Sequence, residues 1–214
     1  MIMSTLGPEA ARIFRITHVN NVPWMLDHGL HCQTSEIVDP NFVPIGMADL
    51  IEKRLARRVT AGPRGMLGDY VSFYFTPWSV MMSNIRTGHN GVTKRANDEI
   101  VILVSSLRRL EELGARFVFT NGHAYVEESE HFDSLSDLDK IDWELLQSRD
   151  FKRDPEDPGK LVRYQAEALV HRHVPISALL GIACYDEIVG KSIRCQAHTR
   201  EMSINVKAIP NWYF

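Results

Sequence analysis

The stretch DEIVILVSS holds five consecutive apolar residues, 100–104, bracketed on both sides by polar ones. A run this short and continuous, rich in β-branched residues, reads as a central, buried strand. A buried strand needs neighbours, and the chain offers several. RIFRITHV at 12–19 alternates as a strand does, and DYVSFYFTP at 69–77 is the densest aromatic and β-branched stretch. Residues 117–119 give another strand, stopped by the turn pair Asn121-Gly122. Between them lie single helices. One is a short helix in NNVPWMLDHGL closed by Gly29, and one spans 47–58 with an apolar stripe of Met47, Leu50, Ile51 and Leu55. VMMSNIRTG ends near Gly88, a short helix after the central strand is capped by Gly114, and a helical segment covers 134–147. Residues 31–46, limited by Pro40 and Pro44, the loop 60–69 and the polar segment FKRDPEDPGK read as irregular. ISALLGIACYD, SIRCQA and SINVKAIPNWYF read as short strands or helix–strand pairs. Strands separated by single helices, without a βαβ rhythm, indicate an α+β fold rather than a doubly wound sheet.

The 214 residues suit one domain, 1–214, with no repeat or linker. No apolar run reaches the ~20 residues of a membrane span, and the N-terminus lacks the basic start and apolar core of a signal peptide. The cytoplasm is therefore the expected compartment. Cys32, Cys184 and Cys195 are widely spaced and form no CxxC pair, so neither a disulfide framework nor a metal site is expected. With 24 basic against 27 acidic residues the net charge is −3. That balance argues against non-specific duplex binding, which draws on many phosphate contacts. It leaves room for a local basic groove that holds a few nucleotides of single strand. Phosphate-cradling motifs, GxGxxG after a strand or GxxxxGK[ST], are missing.

Taken singly, each polar candidate has a plain structural reading. His18 ends a strand and can satisfy a backbone group; Asn21 suits a turn or helix N-cap. Arg54 lies in a basic helix whose expected face is solvated, and His123 follows the Asn-Gly turn. Glu167 sits in LVRYQAEALVHRHVP, where a helix would pair it with Arg163. As a set, their chemistry is coherent. A dinucleotide needs a cation at its pyrophosphate, and a guanidinium matches two phosphate oxygens. Its ribose and carboxamide need directional donors and acceptors, which histidine and asparagine supply. Breaking an N-glycosidic bond builds positive charge on the sugar, which a nearby carboxylate stabilises.

Seven segments carry a resemblance that spans nearly the whole chain: RITHVNNVPWMLDHGL at 15–30, DLIEKRLARRV at 49–59, GMLGDYVSFYFTPWSVMM at 65–82, EIVILVSS at 99–106, FVFTNGH at 117–123, YQAEALV at 164–170 and the C-terminal VKAIPNWYF. In this order the chain resembles the DarT family, the DNA ADP-ribosyltransferase toxins of DarT–DarG toxin–antitoxin systems. The resemblance implies an ADP-ribosyltransferase fold, with a split, curved mixed sheet and helices around a cleft for NAD⁺. It also implies NAD⁺ as co-substrate, single-stranded DNA as acceptor and a DarG-like macrodomain antitoxin as partner, with no metal.

Matched residue by residue, Glu167 is the implied catalytic carboxylate and Arg54 the implied catalytic arginine near the NAD⁺ phosphates. His18 and Asn21 would contact the nicotinamide half. Tyr70 and Phe75 would wall the nicotinamide, or equally serve as core aromatics. His123 would lie on the DNA or catalytic side. Arg149, Lys152, Arg153, Lys160 and Arg163 would meet DNA phosphates, and Tyr164 would stack on a base; Trp143 reads better as a core anchor. FYFTPWSVMM and the connection SNIRTGHNGVTKRAND look closer to a guanine-modifying branch, so guanine is expected over thymine. Glu167→Ala is expected to abolish transfer with the fold intact. A protein-modifying transferase or a non-catalytic NAD⁺- or RNA-binding module is the alternative from another class.

Overall fold

The computed structural model describes residues 6–214; residues 1–5, the start of the expected domain, lie outside the described residues. Twelve strands form: β1 (Arg12–His18), β2 (Leu30–His31), β3 (Arg58–Val59), β4 (Gly65–Met66), β5 (Tyr70–Tyr74), β6 (Ile100–Ser106), β7 (Phe117–Thr120), β8 (His131–Phe132), β9 (Glu167–His171), β10 (His173–Val174), β11 (Gly181–Cys184) and β12 (Val206–Ala208). The helices are α1 (Val22–His28), α2 (Ala48–Leu55), α3 (Val80–Thr87), α4 (Leu107–Glu112), α5 (Trp143–Ser148), α6 (Lys160–Tyr164) and α7 (Glu187–His198). Among the described residues no helix is long and apolar enough to cross a membrane.

Eight strands make one sheet in the order β12-β11-β6-β1-β5-β9-β7-β8. Every neighbouring pair is antiparallel except β11–β12, so the sheet is mixed and the fold α+β. All seven residues of β6 are buried, as the apolar run requires. The sheet is split at one seam. Whereas β1 and β6 pair along all seven residues, β1 and β5 pair only at Phe14 opposite Tyr74. Continuing that register would set His18 opposite Tyr70, but no such pair forms and the strands part. Arg15 stitches the opening by donating from Nη1 to the Ser72 carbonyl at 2.7 Å.

Opposed residues share a face, which sorts the side chains. Val71, Phe73, Phe75, Ala168 and Val170 point into the large core with Leu146, Trp143 and Tyr164. The other face is not continuous. Phe14, Ile16, Ile100, Ile102 and Trp212 form one cluster, and Val59, Tyr70, Val118 and Leu169 another. Between these two apolar clusters Ser72, Tyr74 and Glu167 share the open face.

Several local expectations change. The helix expected over 47–58 runs only from Ala48 to Leu55, and none of its residues is buried. Its apolar stripe is only half-covered: Met47 packs against the cluster around Phe14 and Trp212, and Leu50, Ile51 and Leu55 stay half-buried. The loop 60–69 supplies the turn and β4 of a small hairpin whose first strand, β3, takes Arg58 from the end of the expected helix. The segment around 134–147 divides into a 3-10 turn, Leu135–Lys140, and α5. SIRCQA belongs to the twelve-residue α7, whose N-cap is Asp186. Gly29 closes α1 with φ +76°, and a Cβ there would meet the Val174 carbonyl at 2.5 Å, so the turn needs glycine.

Candidate active site

Three strand ends meet where the polar residues gather. Glu167 opens β9 opposite Tyr74, the last residue of β5. The Thr120 hydroxyl, at the end of β7, accepts the Glu167 backbone N–H at 3.3 Å and donates to the Gly122 carbonyl at 2.6 Å. That bend brings the Ala124 N–H to within 3.0 Å of Glu167 Oε1. A Cβ at Gly122 would meet Ser129 Oγ at 2.8 Å, so the close approach requires glycine there.

Arg54 reaches this carboxylate from α2. Its Nη1 donates to Oε1 at 2.9 Å and its Nη2 to Oε2 at 2.6 Å, a two-pronged pair, while Nη2 also reaches Ser72 Oγ at 3.2 Å. The Glu167 side chain is 2% exposed and that of Arg54 18%. Burial alone would raise the Glu167 carboxyl, but the charge and hydrogen bonds of Arg54 outweigh it and hold the group below the ordinary carboxylate value. Burial likewise opposes charge on Arg54, and Glu167 reverses the sign, so the guanidinium stays firmly protonated. Three of the five guanidinium N–H groups are used in this way, and the remaining two are available to an anion.

His123 Nδ1 lies 3.9 Å from Glu167 Oε1 and accepts the Tyr125 N–H at 3.2 Å. Burial lowers its pKa more than Glu167 raises it, so the ring is neutral at pH 7 with its proton on Nε2. At the other end of the opening, His18 is buried, accepts the Asn20 N–H at Nδ1 and turns Nε2 towards Glu99 Oε1 at 3.6 Å, just beyond hydrogen-bond range. His18 is four residues along β1 from Phe14, about 13 Å at the usual strand rise of ~3.3 Å. The split therefore runs from the His18 imidazole, beside Glu99, to the ion-paired Glu167 carboxylate, a length suited to an extended substrate.

Other expected residues serve elsewhere. Asn21 is fully buried and committed: its amide accepts from the Val43 N–H at 2.8 Å and donates to the Val43 carbonyl and to Thr17 Oγ1, both at 3.0 Å. It latches the irregular segment 31–46 over the sheet instead of facing a ligand. Asn21→Ala is expected to cost about 1–3 kcal/mol, the range for orphaned buried amide partners. Hydrogen exchange at the Val43 amide checks this; unchanged protection would contradict it.

Phe75 is a core residue, edge-on to Phe119 and Trp143, and does not wall the cleft. Tyr70 lies on the cleft face, but its hydroxyl is spent on the Arg64 carbonyl at 2.6 Å and burial raises its pKa to about 12. Tyr164 is 1% exposed with its hydroxyl on the Trp78 carbonyl, so it cannot stack on a base. Arg163 is held by Asp157 and Asp142 and Lys160 by Asp150, which staples the loop before Glu167 to itself. Lys152 and Arg153 are exposed and form no ion pair among the described residues, and Arg149 is exposed with its guanidinium 3.4 Å from the Trp78 ring centroid. The expected Arg163–Glu167 pairing does not occur, because the helix ends at Tyr164, before Glu167. Trp143 anchors the core, its Nε1 donating to the Leu138 carbonyl at 2.7 Å.

Ser72, Tyr74 and Arg15 were missed in the sequence. Alternation from Tyr70 along β5 puts Ser72 and Tyr74 on the cleft face, and that signal was readable. The Tyr74 hydroxyl is pushed up to about 12, by burial first and then by Glu167. Burial lowers the pKa of Arg15, whose Nε has no partner. Among the described residues no His, Cys, Asp and Glu group is placed to hold a metal ion.

The family model described as "DarT: ssDNA thymidine ADP-ribosyltransferase, DarT" matches residues 14–214. A protein of Escherichia coli O127:H6 named DNA ADP-ribosyl transferase is 48% identical over 99% of this chain and 97% of its own. One of the same name from Thermus sp. strain 2.9 is 33% identical, covering 89% of each. Among solved structures, Thermus sp. 2.9 DarT in complex with ADP-ribosylated ssDNA superposes with a TM-score of 0.89 at 30% identity over 99% of both chains. The same DarT with NAD⁺ gives a TM-score of 0.82 at 27% identity, covering 97% of this chain and 100% of that one. A family model that covers all but the first thirteen residues, and a shared fold throughout, lead to one conclusion: this chain belongs to the DarT family.

Proposed function

We propose that this chain transfers ADP-ribose from NAD⁺ to a base of single-stranded DNA, thymine being the base. The observation that carries the reading is the buried Glu167 carboxylate, held by Arg54 at the edge of the split sheet. The C1′–N bond of NAD⁺ breaks with its electron pair leaving on nicotinamide, and positive charge builds on the ribose. Glu167 stabilises that charge more in the transition state than in the ground state. Arg54, with two N–H groups to spare, engages the NAD⁺ phosphates; His18 Nε2–H takes a polar atom of the nicotinamide half. As the acceptor nitrogen bonds to C1′ it sheds its proton, and Glu167 is the base that receives it. A single strand spares the cost of extracting a base from a duplex.

The sequence favoured guanine; the activity named for the matched family is on thymidine, and thymine is therefore preferred here. Short oligonucleotides that contain thymine without guanine, and guanine without thymine, separate the two by intact mass after incubation with NAD⁺. Addition of ADP-ribose to the guanine-free strand is expected. Addition only where guanine is present would restore the guanine reading. Residues 1–214 would act as one catalytic domain in the cytoplasm, as the toxin countered by a DarG-like macrodomain partner.

A further inference from the structure

A second concavity of about 450 Å³ opens beside the catalytic pair, lined by Lys53, Ala56, Arg57, Tyr125, Val126 and Glu127. Both its walls are next in the chain to active-site residues. Lys53 adjoins Arg54 in the chain, and Tyr125 follows Ala124, whose N–H holds Glu167. Lys53 and Arg57 are spaced by four, and among the described residues neither forms an ion pair. Arg57 is half-buried, donates from Nη2 to the Val126 carbonyl at 3.4 Å and has a buried Nε with no partner. Tyr125 is 36% exposed, a high value for a tyrosine that packs in no core cluster. Two unneutralised cations facing an exposed aromatic ring suit a nucleotide: phosphate on the cations, base on the ring. The pairs that bind Lys160 and Arg163 remove two of the cations expected to track the strand, which increases the weight of this pocket.

We propose that this pocket holds a nucleotide next to the modified one, with its phosphate on Lys53 and Arg57 and its base stacked on Tyr125. The assignment rests on the single-stranded-DNA reading above. Glu127, exposed and also lining the pocket, opposes phosphate, so the phosphate is expected on the Lys53–Arg57 side. The test is fluorescence anisotropy of labelled single-stranded oligonucleotides together with NAD⁺ kinetics, on the full chain and its variants. Lys53→Ala and Tyr125→Ala should each weaken DNA binding about tenfold, with Tyr125→Phe near wild type, as sequence-tolerant stacking requires. Lys53→Ala should also reduce the salt slope of binding by about one, and KM for NAD⁺ should stay unchanged. Removing the flanking nucleotides from the oligonucleotide should abolish the difference between wild type and Tyr125→Ala. A raised KM for NAD⁺ with DNA binding unchanged would overturn the proposal and give the pocket to the dinucleotide; no change in either would overturn it as well. Wild-type protein that binds and modifies no DNA would defeat the broader reading, whereas wild-type modification with unaffected variants defeats only the pocket.

Discussion

Glu167→Gln is expected to lower ADP-ribose transfer about a thousandfold, the scale seen when a preorganised electrostatic group is removed from a reacting centre. Glutamine preserves shape and one acceptor, so Ala124 and one prong of Arg54 retain a partner. What disappears is the negative charge opposite the developing cation. Folding should survive in this variant, whereas Glu167→Ala should not be benign. The alanine removes every acceptor that Glu167 offers to Arg54 and to the Ala124 N–H, and breaking a buried pair costs up to about 3–5 kcal/mol, less here because the Arg54 side chain is 18% exposed. Single-turnover nicotinamide release and urea unfolding of both variants check the two halves separately. Near-normal turnover in Glu167→Gln would remove Glu167 from the mechanism.

Arg54→Ala should both abolish productive turnover and reverse the acid dependence of stability. In the wild type Glu167 has a folded pKa below its ordinary 4.5. Its stabilising contribution is present above that ordinary value and is lost as the pH falls through the folded pKa. Without Arg54 burial dominates and the folded pKa rises above 4.5. The stabilising protonated form then prevails at low pH, and stability falls as pH rises from 4.5 towards the raised value. Urea midpoints measured from about pH 4 to 7 should therefore diverge, the variant losing most at the neutral end. His123, 3.9 Å away, is the other group able to supply positive charge, so the double variant Arg54→Ala/His123→Asn should show the reversal more strongly. Parallel curves for wild type and Arg54→Ala would contradict the coupling. Arg54→Lys is not a conservative control, since an ammonium cannot span both carboxylate oxygens.

The strands were the most legible part of the sequence. The apolar run 100–104 announced β6, and the glycines at 29, 88 and 114 marked helix ends because each sits at positive φ. The stripe on α2 misled, since amphipathic spacing states which face is apolar but not whether a core lies beneath it. Glu167 and Arg54 are 113 residues apart, and no local pattern joins them; family likeness picked them out. Composition alone left both with bland readings. Asn21 and Tyr164 show the opposite failure: residue type suited a ligand, but only the fold shows that their polar atoms are spent on Val43, Thr17 and Trp78. Cations were overread in the same way. Nothing in FKRDPEDPGK distinguishes the exposed Lys152 and Arg153 from Lys160, whose charge is taken by Asp150.

In the proposed mechanism the Arg54–Glu167 pair couples NAD⁺ cleavage to modification of single-stranded DNA. Its most direct test follows nicotinamide release and oligonucleotide mass in one reaction, with wild type and Glu167→Gln side by side. The account predicts that wild type releases one nicotinamide for each ADP-ribose gained by the strand, and that the variant loses both together. Nicotinamide release with no mass on the DNA, or DNA modification that persists without the Glu167 carboxylate, would contradict it.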